Sequence, residues 1–167
     1  MPAFTVIAAS VRDRLYRLAL RMVGDGGEAE DVVQEVLLSG WQDRQKIESL
    51  DNPPAWLLRM THNRAIDRLR SRKVRQNNER AAAPTDQTLD TPYRRTESAD
   101  TLNHIHRLMQ RLSVEQRTVL QLREVEGLSY REIADTTELS LEQVRVYLHR
   151  GRTKLRQLLL NEHIVER

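Results

Sequence analysis

The candidate chemistry of this 167-residue sequence is the recognition of nucleic acid by polar and basic side chains near its C-terminus. Between residues 141 and 152, a predicted helix carries amide, guanidinium and imidazole groups on the face that is expected to point outward. Gln and Arg side chains can pair with base edges in the major groove of DNA, and further Arg side chains can bind phosphates. The candidates are Gln143, Arg145, Val146, His149, Arg150 and Arg152.

The segment 130–150 has the pattern of a helix-turn-helix. A short predicted helix is followed by a turn and then by a longer helix, in which Leu141, Val144 and Leu148 are expected to face inward. The alternative is a plain helical hairpin with a solvated basic face. The turn position that often holds glycine is Glu138, which would be strained if its φ angle is positive.

A second basic segment, residues 59–75, contains seven basic residues and one acid. Within it, the amide of Asn63 can both donate and accept, which suits the edge of an unpaired base. Trp56 could stack on an exposed base. A tryptophan in an apolar stripe is more often a core residue, however, and we expect Trp56 to lie in the core.

The segment 25–51 has the opposite charge, with eight acids against Arg44 and Lys46. Within it, the predicted helix that starts near residue 28 has an acidic first turn and could form a polar and acidic face that binds a basic partner. The alternative is the solvated face of a core helix. One acidic and two basic segments indicate different partners for different faces of the molecule.

Other kinds of chemistry find no support in the sequence. It has no cysteine, its five histidines show no metal-ligand spacing, and no phosphate-binding glycine loop or nucleophile motif occurs. No apolar run is long enough to span a membrane, and residues 1–11 do not resemble a signal peptide. We therefore expect a cytoplasmic protein that is not an enzyme, uses no cofactor or metal, and is not inserted in a membrane.

The hydrophobic spacing predicts the elements that must position these residues. Apolar residues recur every three or four positions, which predicts helices only. The predicted helices are 4–23, 28–41, 53–72, 100–112, 114–125, 130–136 and 141–160. In the fourth, Leu102, Ile105, Met109 and Leu112 line one face. Three of the helices are expected to start with capping boxes, which pair Ser113 with Gln116, Ser129 with Glu132 and Ser140 with Gln143.

The predicted architecture is all-α, with two small helical domains joined by a flexible linker. Residues 76–99 are polar, contain Pro84 and Pro92, and show no apolar period, which is typical of a linker. The domains are therefore predicted as 1–75 and 100–167.

Two separate parts of the sequence resemble sigma-70 family factors, most closely the extracytoplasmic-function (ECF) branch. The part that resembles region 4 of that family contains LSVEQR at 112–117 and LREVEGLSYREIA at 122–134. Region 2 is resembled by AEDVVQEV at 29–36, which matches the helix that docks on the polymerase clamp. WLLRM at 56–60 and NRAIDRLR at 63–70 resemble the helix that melts the promoter and reads its minus-10 element.

The resemblance implies a role for each matching position. Asp31, Gln34 and Glu35 would bind core RNA polymerase. The minus-10 DNA would be bound by Trp56, Arg59, Asn63, Arg64, Arg68 and Arg70. The minus-35 DNA would be bound by the six residues between Gln143 and Arg152 named above.

Implied partners are core RNA polymerase and promoter DNA, with an anti-sigma factor as a further candidate. The function implied is promoter-specific transcription initiation. The alternatives are a stand-alone helix-turn-helix regulator, which would have no use for the acidic helix, and a helical adaptor, which would need no Arg-rich faces. The recognition helix departs from the common family pattern at Gln143, Val146 and Tyr147, which leaves the minus-35 sequence that it reads open.

Overall fold

The computed structural model describes residues 2–78 and 97–165, and all regular elements in these ranges are helices. The chain divides into two compact units, Met1–Thr91 and Pro92–Arg167. The predicted all-α class with two small helical domains is confirmed.

Each unit is built from consecutive helices. The first contains α1 (Phe4–Val23), α2 (Gly26–Gln42), α3 (Arg44–Glu48) and α4 (Pro53–Asn78). The second contains α5 (Glu97–Gln110), α6 (Val114–Leu120), a π-helical turn (Gln121–Val125), α7 (Tyr130–Thr137) and α8 (Leu141–Val165).

The core of the first unit lies where α1 packs against α2 and α4. The apolar stripe of α1 is buried at every position that the spacing predicted, from Phe4 to Met22. Gly24 ends α1 in the left-handed conformation, with φ 81°, and Asp25 caps α2 by accepting from the Glu28 N–H at 2.9 Å. Gly26 and Gly27 therefore begin α2.

The segment between α2 and α4 contains a short helix that the sequence did not predict. Ile47 of α3 is fully buried, and the Glu48 carboxylate accepts from the backbone N–H of Phe4 at 2.7 Å, which satisfies a free donor at the start of α1. Asn52 accepts from the Ala55 N–H at 3.2 Å, and Pro53 is the first residue of α4, as the sequence predicted.

The second unit starts its helices with the three predicted capping boxes, each with both of its hydrogen bonds. The inward assignment of Leu141 was wrong, since this residue is 37% exposed. On the apolar face predicted for residues 100–112, Leu102 is 67% exposed and Ile105 38%, whereas Met109 and Leu112 are buried. Leu102 and Ile105 precede the part of α5 that is buried, and Leu141 is the first residue of α8. At such positions no neighbouring helix covers the side chain.

The predicted helix 114–125 is interrupted by the π-helical turn, which we call the π-turn. At its end, the Glu126 N–H donates to the Gln121 carbonyl at 3.1 Å. The two residues are five apart, whereas an α-helix pairs residues that are four apart. Gly127 follows with φ 72°, and the Leu128 N–H then donates to the Leu122 carbonyl at 3.0 Å. The inserted residue rotates Arg123 and Glu124 relative to an unbroken α-helix.

Both ends of the predicted linker are helical. Residues 76–78 form the end of α4, which runs six residues past its predicted end, and residues 97–99 begin α5. Residues 79–96, with Pro84 and Pro92, lie outside the described part of the chain. The domain boundaries at 75 and 100 stay predictions.

Candidate polymerase and promoter interfaces

The outer face of α2 brings together the three residues predicted to bind polymerase. Asp31 and Gln34 are exposed and Glu35 is half-buried, whereas the opposite face of the helix is buried in the core. Two large apolar side chains extend the same face, Leu38 at 62% exposure and Trp41 at 46%. The sequence analysis missed both, although positions 31, 34, 35, 38 and 41 follow one helical stripe.

Trp41 is held in a defined position at the end of this stripe. Its ring lies 6.2 Å from that of Phe4, centre to centre, and the Arg44 guanidinium sits 4.3 Å from its centre. Arg44 also donates to the Trp41 carbonyl at 2.9 Å. An aromatic ring that is fixed and yet exposed is common at protein interfaces.

One edge of α2 is joined to α4 by arginine side chains. Arg68 makes an ion pair with Glu35 and also lies 3.9 Å from the Asp31 carboxylate. One turn before it, Arg64 donates to the Ser39 hydroxyl at 3.4 Å. Two of the residues predicted to bind DNA thus contact the acidic helix.

Arg72 continues this row one turn further along α4. It forms an ion pair with Glu28 and donates to the Val23 carbonyl at 3.0 Å, at the end of α1. Positions 64, 68 and 72 recur every four residues and continue the helix side that buries Thr61 and Ala65. Arg68 and Arg72, which are half-buried, therefore belong to the packing of the unit, whereas Arg64 is exposed.

The remaining minus-10 candidates share the opposite side of α4. Arg59, Asn63 and Arg70 are exposed, and Trp56 is half-buried. The expectation that Trp56 is a core residue was wrong. By helical spacing, positions 56, 59, 63 and 70 fall within one stripe, and the His62 ring nitrogen lies 3.3 Å from the Asn63 amide oxygen.

Helices α7 and α8 pack as a helix-turn-helix around buried Ile133, Val144 and Leu148. The turn contains Glu138 with φ 62°, so the residue does adopt the strained left-handed conformation. A non-glycine residue in this conformation lowers the stability of the folded unit. The same turn determines where α8 begins.

The outer face of α8 exposes Arg145, Val146, His149 and Arg150 together. Gln143 is also exposed, but its amide oxygen accepts from the Ser140 N–H at 2.9 Å in the capping box. The amide NH₂ of Gln143 is the group that remains for a base.

Arg152 points toward the π-turn. Its Nε and one terminal nitrogen donate to the same Glu124 oxygen, at 2.8 and 2.5 Å. The hydrogen bond to Glu124 raises the pKa of Arg152. Beside them, the Arg123 guanidinium lies 5.1 Å from the centre of the Tyr130 ring and donates to the Leu128 carbonyl at 2.9 Å.

Glu142 is an acidic residue on the recognition face that the sequence analysis missed. It is exposed in the first turn of α8, three positions before Arg145 and therefore on the same side. The first turns of a recognition helix contact base edges, and a carboxylate can accept from the amino group of cytosine. The three-residue spacing between Glu142 and Arg145 is visible in the sequence and could have identified Glu142 as a member of the recognition face.

In the two described ranges, no three His, Asp or Glu side chains are grouped so that they could hold a metal ion. Nor is any helix in those ranges both long enough and apolar enough to cross a membrane.

Comparison with known families matches both units. The family model for Sigma-70 region 2 matches residues 7–75, and the model for Sigma-70, region 4 matches residues 102–155. The first match includes the α2 and α4 surfaces, and the second includes the helix-turn-helix. The chain belongs to the sigma-70 family.

Individual relatives specify the branch. The chain is 36% identical to the ECF RNA polymerase sigma factor SigL of Mycobacterium tuberculosis over 150 residues, which cover 87% of this chain and 82% of SigL. It is 29% identical to the ECF RNA polymerase sigma factor SigW of Bacillus subtilis, with 94% and 89% covered. It is thus an ECF sigma factor, which directs promoter-specific transcription, and the interpretation from sequence is confirmed.

A solved structure has the same fold. The sigma factor RpoE of Bartonella quintana, crystallised with the anti-sigma factor NepR, superposes with a TM-score of 0.78 at 22% identity and covers 93% of this chain and 96% of its own. Sigma factors in general are regulatory proteins rather than enzymes.

Proposed function

We propose that this chain recruits core RNA polymerase through the outer face of α2 and reads promoter DNA through α4 and α8. The observation that carries the assignment within the first unit is the separation of charge between two packed helices. The outer face of α2 is acidic at Asp31 and Glu35, whereas the far side of α4 presents Arg59 and Arg70 around Asn63. A basic protein partner and a nucleic acid can therefore bind different sides of one small unit.

The α4 stripe suits a strand whose bases are exposed. Arg59 and Arg70 can neutralise phosphates, and the Asn63 amide can pair with the edge of an unpaired base, as a donor and an acceptor. The half-buried Trp56 ring can stack on a neighbouring base. Arg64 lies at the edge of this surface, where its long 3.4 Å hydrogen bond to Ser39 is weak enough to be exchanged for a phosphate.

The recognition helix suits duplex DNA. Arg145 can form a bidentate contact with guanine, Val146 can contact a thymine methyl group, and His149 and the Gln143 NH₂ can donate to base edges. Arg150 would bind a phosphate, and so would Arg152 once it exchanges Glu124 for the phosphate. These contacts would read the minus-35 element while the first unit binds the minus-10 element.

Two separate DNA contacts would reinforce each other. Once one unit is bound, the linker keeps the second at a high effective concentration near its own element, so two weak contacts add. In this mechanism the chain supplies binding and base recognition, polymerase performs the chemistry, and the chain itself is not an enzyme. It would act in the cytoplasm, where polymerase works, and an anti-sigma factor is a candidate partner, since the RpoE relative was crystallised with one.

The proposal is tested by measuring binding to purified core polymerase. The double variant Asp31→Asn, Glu35→Gln should bind core at least tenfold more weakly. Amide variants are preferred to charge reversal because an arginine at position 35 would face Arg68. Asp13→Asn is the matched control, since Asp13 is an exposed carboxylate of the same unit that lies on α1 and not on α2.

A footprinting experiment separates the proposal from the stand-alone regulator. Holoenzyme should protect a promoter at concentrations where the isolated chain does not. Protection by the isolated chain at nanomolar concentration would contradict the polymerase requirement.

A further inference from the structure

Arg68 connects the predicted DNA-binding helix to two of the predicted polymerase-binding residues, Asp31 and Glu35. Its guanidinium is paired with Glu35 through one nitrogen, and a second nitrogen lies 3.9 Å from Asp31. The Arg68 side chain is 29% exposed, against 42% for Glu35 and 59% for Asp31. The arginine thus lies on the inner side of the two carboxylates.

Asp31 and Glu35 are four residues apart on α2, where two like charges repel each other and destabilise the helix. A guanidinium placed against both carboxylates offsets this repulsion. It also restricts the Glu35 side chain, which otherwise has several rotamers and would lose that freedom when it binds a partner. The outer parts of both carboxylates remain exposed for such a partner.

We propose that Arg68 is a positioning residue of the polymerase-binding surface and does not contact promoter DNA. It holds Glu35, and with it Asp31, in the arrangement that receives basic groups of the polymerase. This inference rests on the proposed function of the α2 face, and it reassigns Arg68 from the minus-10 set. Its location supports the reassignment, because it continues the packed side of α4 and lies away from the stripe that contains Asn63.

Arg72 provides a matched control on the same helix. It also joins α4 to α2 by an ion pair, through Glu28, and it additionally holds the Val23 carbonyl. Glu28 is outside the predicted polymerase-binding set. Loss of Arg72 should therefore harm packing at least as much as loss of Arg68, without changing the carboxylates that polymerase would contact.

The experiment measures the affinity of full-length variants for purified core polymerase by fluorescence anisotropy. Arg68→Gln should weaken core binding by about five- to thirtyfold, and Arg72→Gln should leave it unchanged. The double variant Arg68→Gln, Glu35→Gln should lose less core affinity than the two single losses combined, because both changes remove the interaction between Arg68 and Glu35. Arg68→Lys should recover part of the affinity, since it restores the charge beside Glu35 but not the second contact. Tryptophan fluorescence checks that each variant is folded.

The same variants are then tested as holoenzyme, at saturating concentration, on a template with an unpaired minus-10 region at several salt concentrations. Arg68→Gln should bind DNA with the salt dependence of the wild type. A slope reduced by about one would make Arg68 a phosphate contact and overturn the inference.

Other results would also overturn it: unchanged or tighter core binding by Arg68→Gln, or equal losses from Arg68→Gln and Arg72→Gln. If the wild-type chain binds core and Arg68→Gln binds equally well, the inference alone fails. If the wild-type chain does not bind core at all, the proposed function fails and the inference fails with it.

Discussion

Arg152 of α8 donates two N–H groups to one carboxylate oxygen of Glu124, and this contact ties the recognition helix to the π-turn. Both side chains are about half exposed, at 44% and 53%. An ion pair at such a site contributes at most about 1 kcal/mol. A DNA phosphate can therefore compete with Glu124 for Arg152.

We expect Glu124→Gln to strengthen holoenzyme binding to promoter DNA, by up to about fivefold, and equally for all minus-35 sequences, because Arg152 is released toward phosphate. Arg152→Gln should weaken all sequences alike and reduce the salt slope by about one. Binding titrations at several salt concentrations measure both effects. Losses of similar size from both variants would instead mean that the pair positions α8.

Base recognition by α8 is expected to depend on Arg145. Arg145→Ala should cost roughly 1–3 kcal/mol of holoenzyme binding and should relax the preference at one base pair of the minus-35 element. Arg156→Ala is the control, since Arg156 is exposed about four turns after the start of α8 and should affect all sequences alike if it acts at all. A loss from Arg145→Ala that is the same for every sequence would make Arg145 a phosphate contact.

The strained turn of the helix-turn-helix predicts a stabilising substitution. Glu138 has φ 62°, a conformation that costs a non-glycine residue roughly 1–2 kcal/mol. Glu138→Gly should slow hydrogen exchange in α7 and α8, with a net gain of about 0.5–1 kcal/mol after the greater flexibility of glycine in the unfolded chain is counted. Glu138→Ala keeps the strain, so it should show no such gain; equal behaviour of the two variants would contradict the explanation.

Substitution by alanine at two glycines of α2 should change the stability of the first unit in opposite directions. A Cβ at Gly40 would lie 2.8 Å from the Phe4 ring, so Gly40→Ala should destabilise the first unit by about 1–3 kcal/mol. At Gly27 the nearest atom would be Asp25 Oδ2 at 3.4 Å, so Gly27→Ala should stabilise the helix by up to roughly 1 kcal/mol. Both tryptophans, Trp41 and Trp56, belong to the first unit, so their fluorescence during urea unfolding reports on that unit. Destabilisation by both variants would contradict the assignment of close packing to Gly40.

The sequence was sufficient for features that depend on neighbouring residues. The apolar stripe of α1, the three capping boxes and the start of α4 at Pro53 follow from local spacing and hydrogen bonding, and all are present. Features that depend on distant residues were missed. Helix α3 is held by the contact of Glu48 with Phe4, 44 residues apart, and the π-turn contacts α8 through Glu124 and Arg152, 28 residues apart. No local pattern contains either contact.

The same limit applies to the candidate sites. The composition of residues 59–75 indicated a basic surface, but it could not separate Arg68, which contacts α2, from Arg59 and Arg70 on the other side of α4. That separation depends on which side of the helix is covered, and so on packing. Trp56 shows the same effect, since an apolar spacing suggested full burial where the fold leaves the residue partly exposed.

The last prediction concerns promoter melting, where a sigma factor differs most from a regulator that binds only duplex DNA. Asn63 is exposed between Arg59 and Arg70 on the side of α4 away from the core. Its amide has both a donor and an acceptor, which suits the Watson–Crick edge of a base that is no longer paired. We therefore expect Asn63→Ala to preserve core binding and closed-complex formation but to lower the yield of open complex.

The test compares permanganate reactivity of unpaired thymines on duplex promoter and on a template with a pre-melted minus-10 bubble. The bubble should recover part of the loss, because the unpairing cost of a few kcal/mol is then removed. Arg70→Ala is the control on the same stripe. It removes a charge rather than a base contact, so it should weaken binding to both templates and should be sensitive to salt. Normal opening by the Asn63→Ala holoenzyme on duplex DNA would remove Asn63 from the site, and failure of the wild-type holoenzyme to open any promoter would contradict the melting role of α4 as a whole.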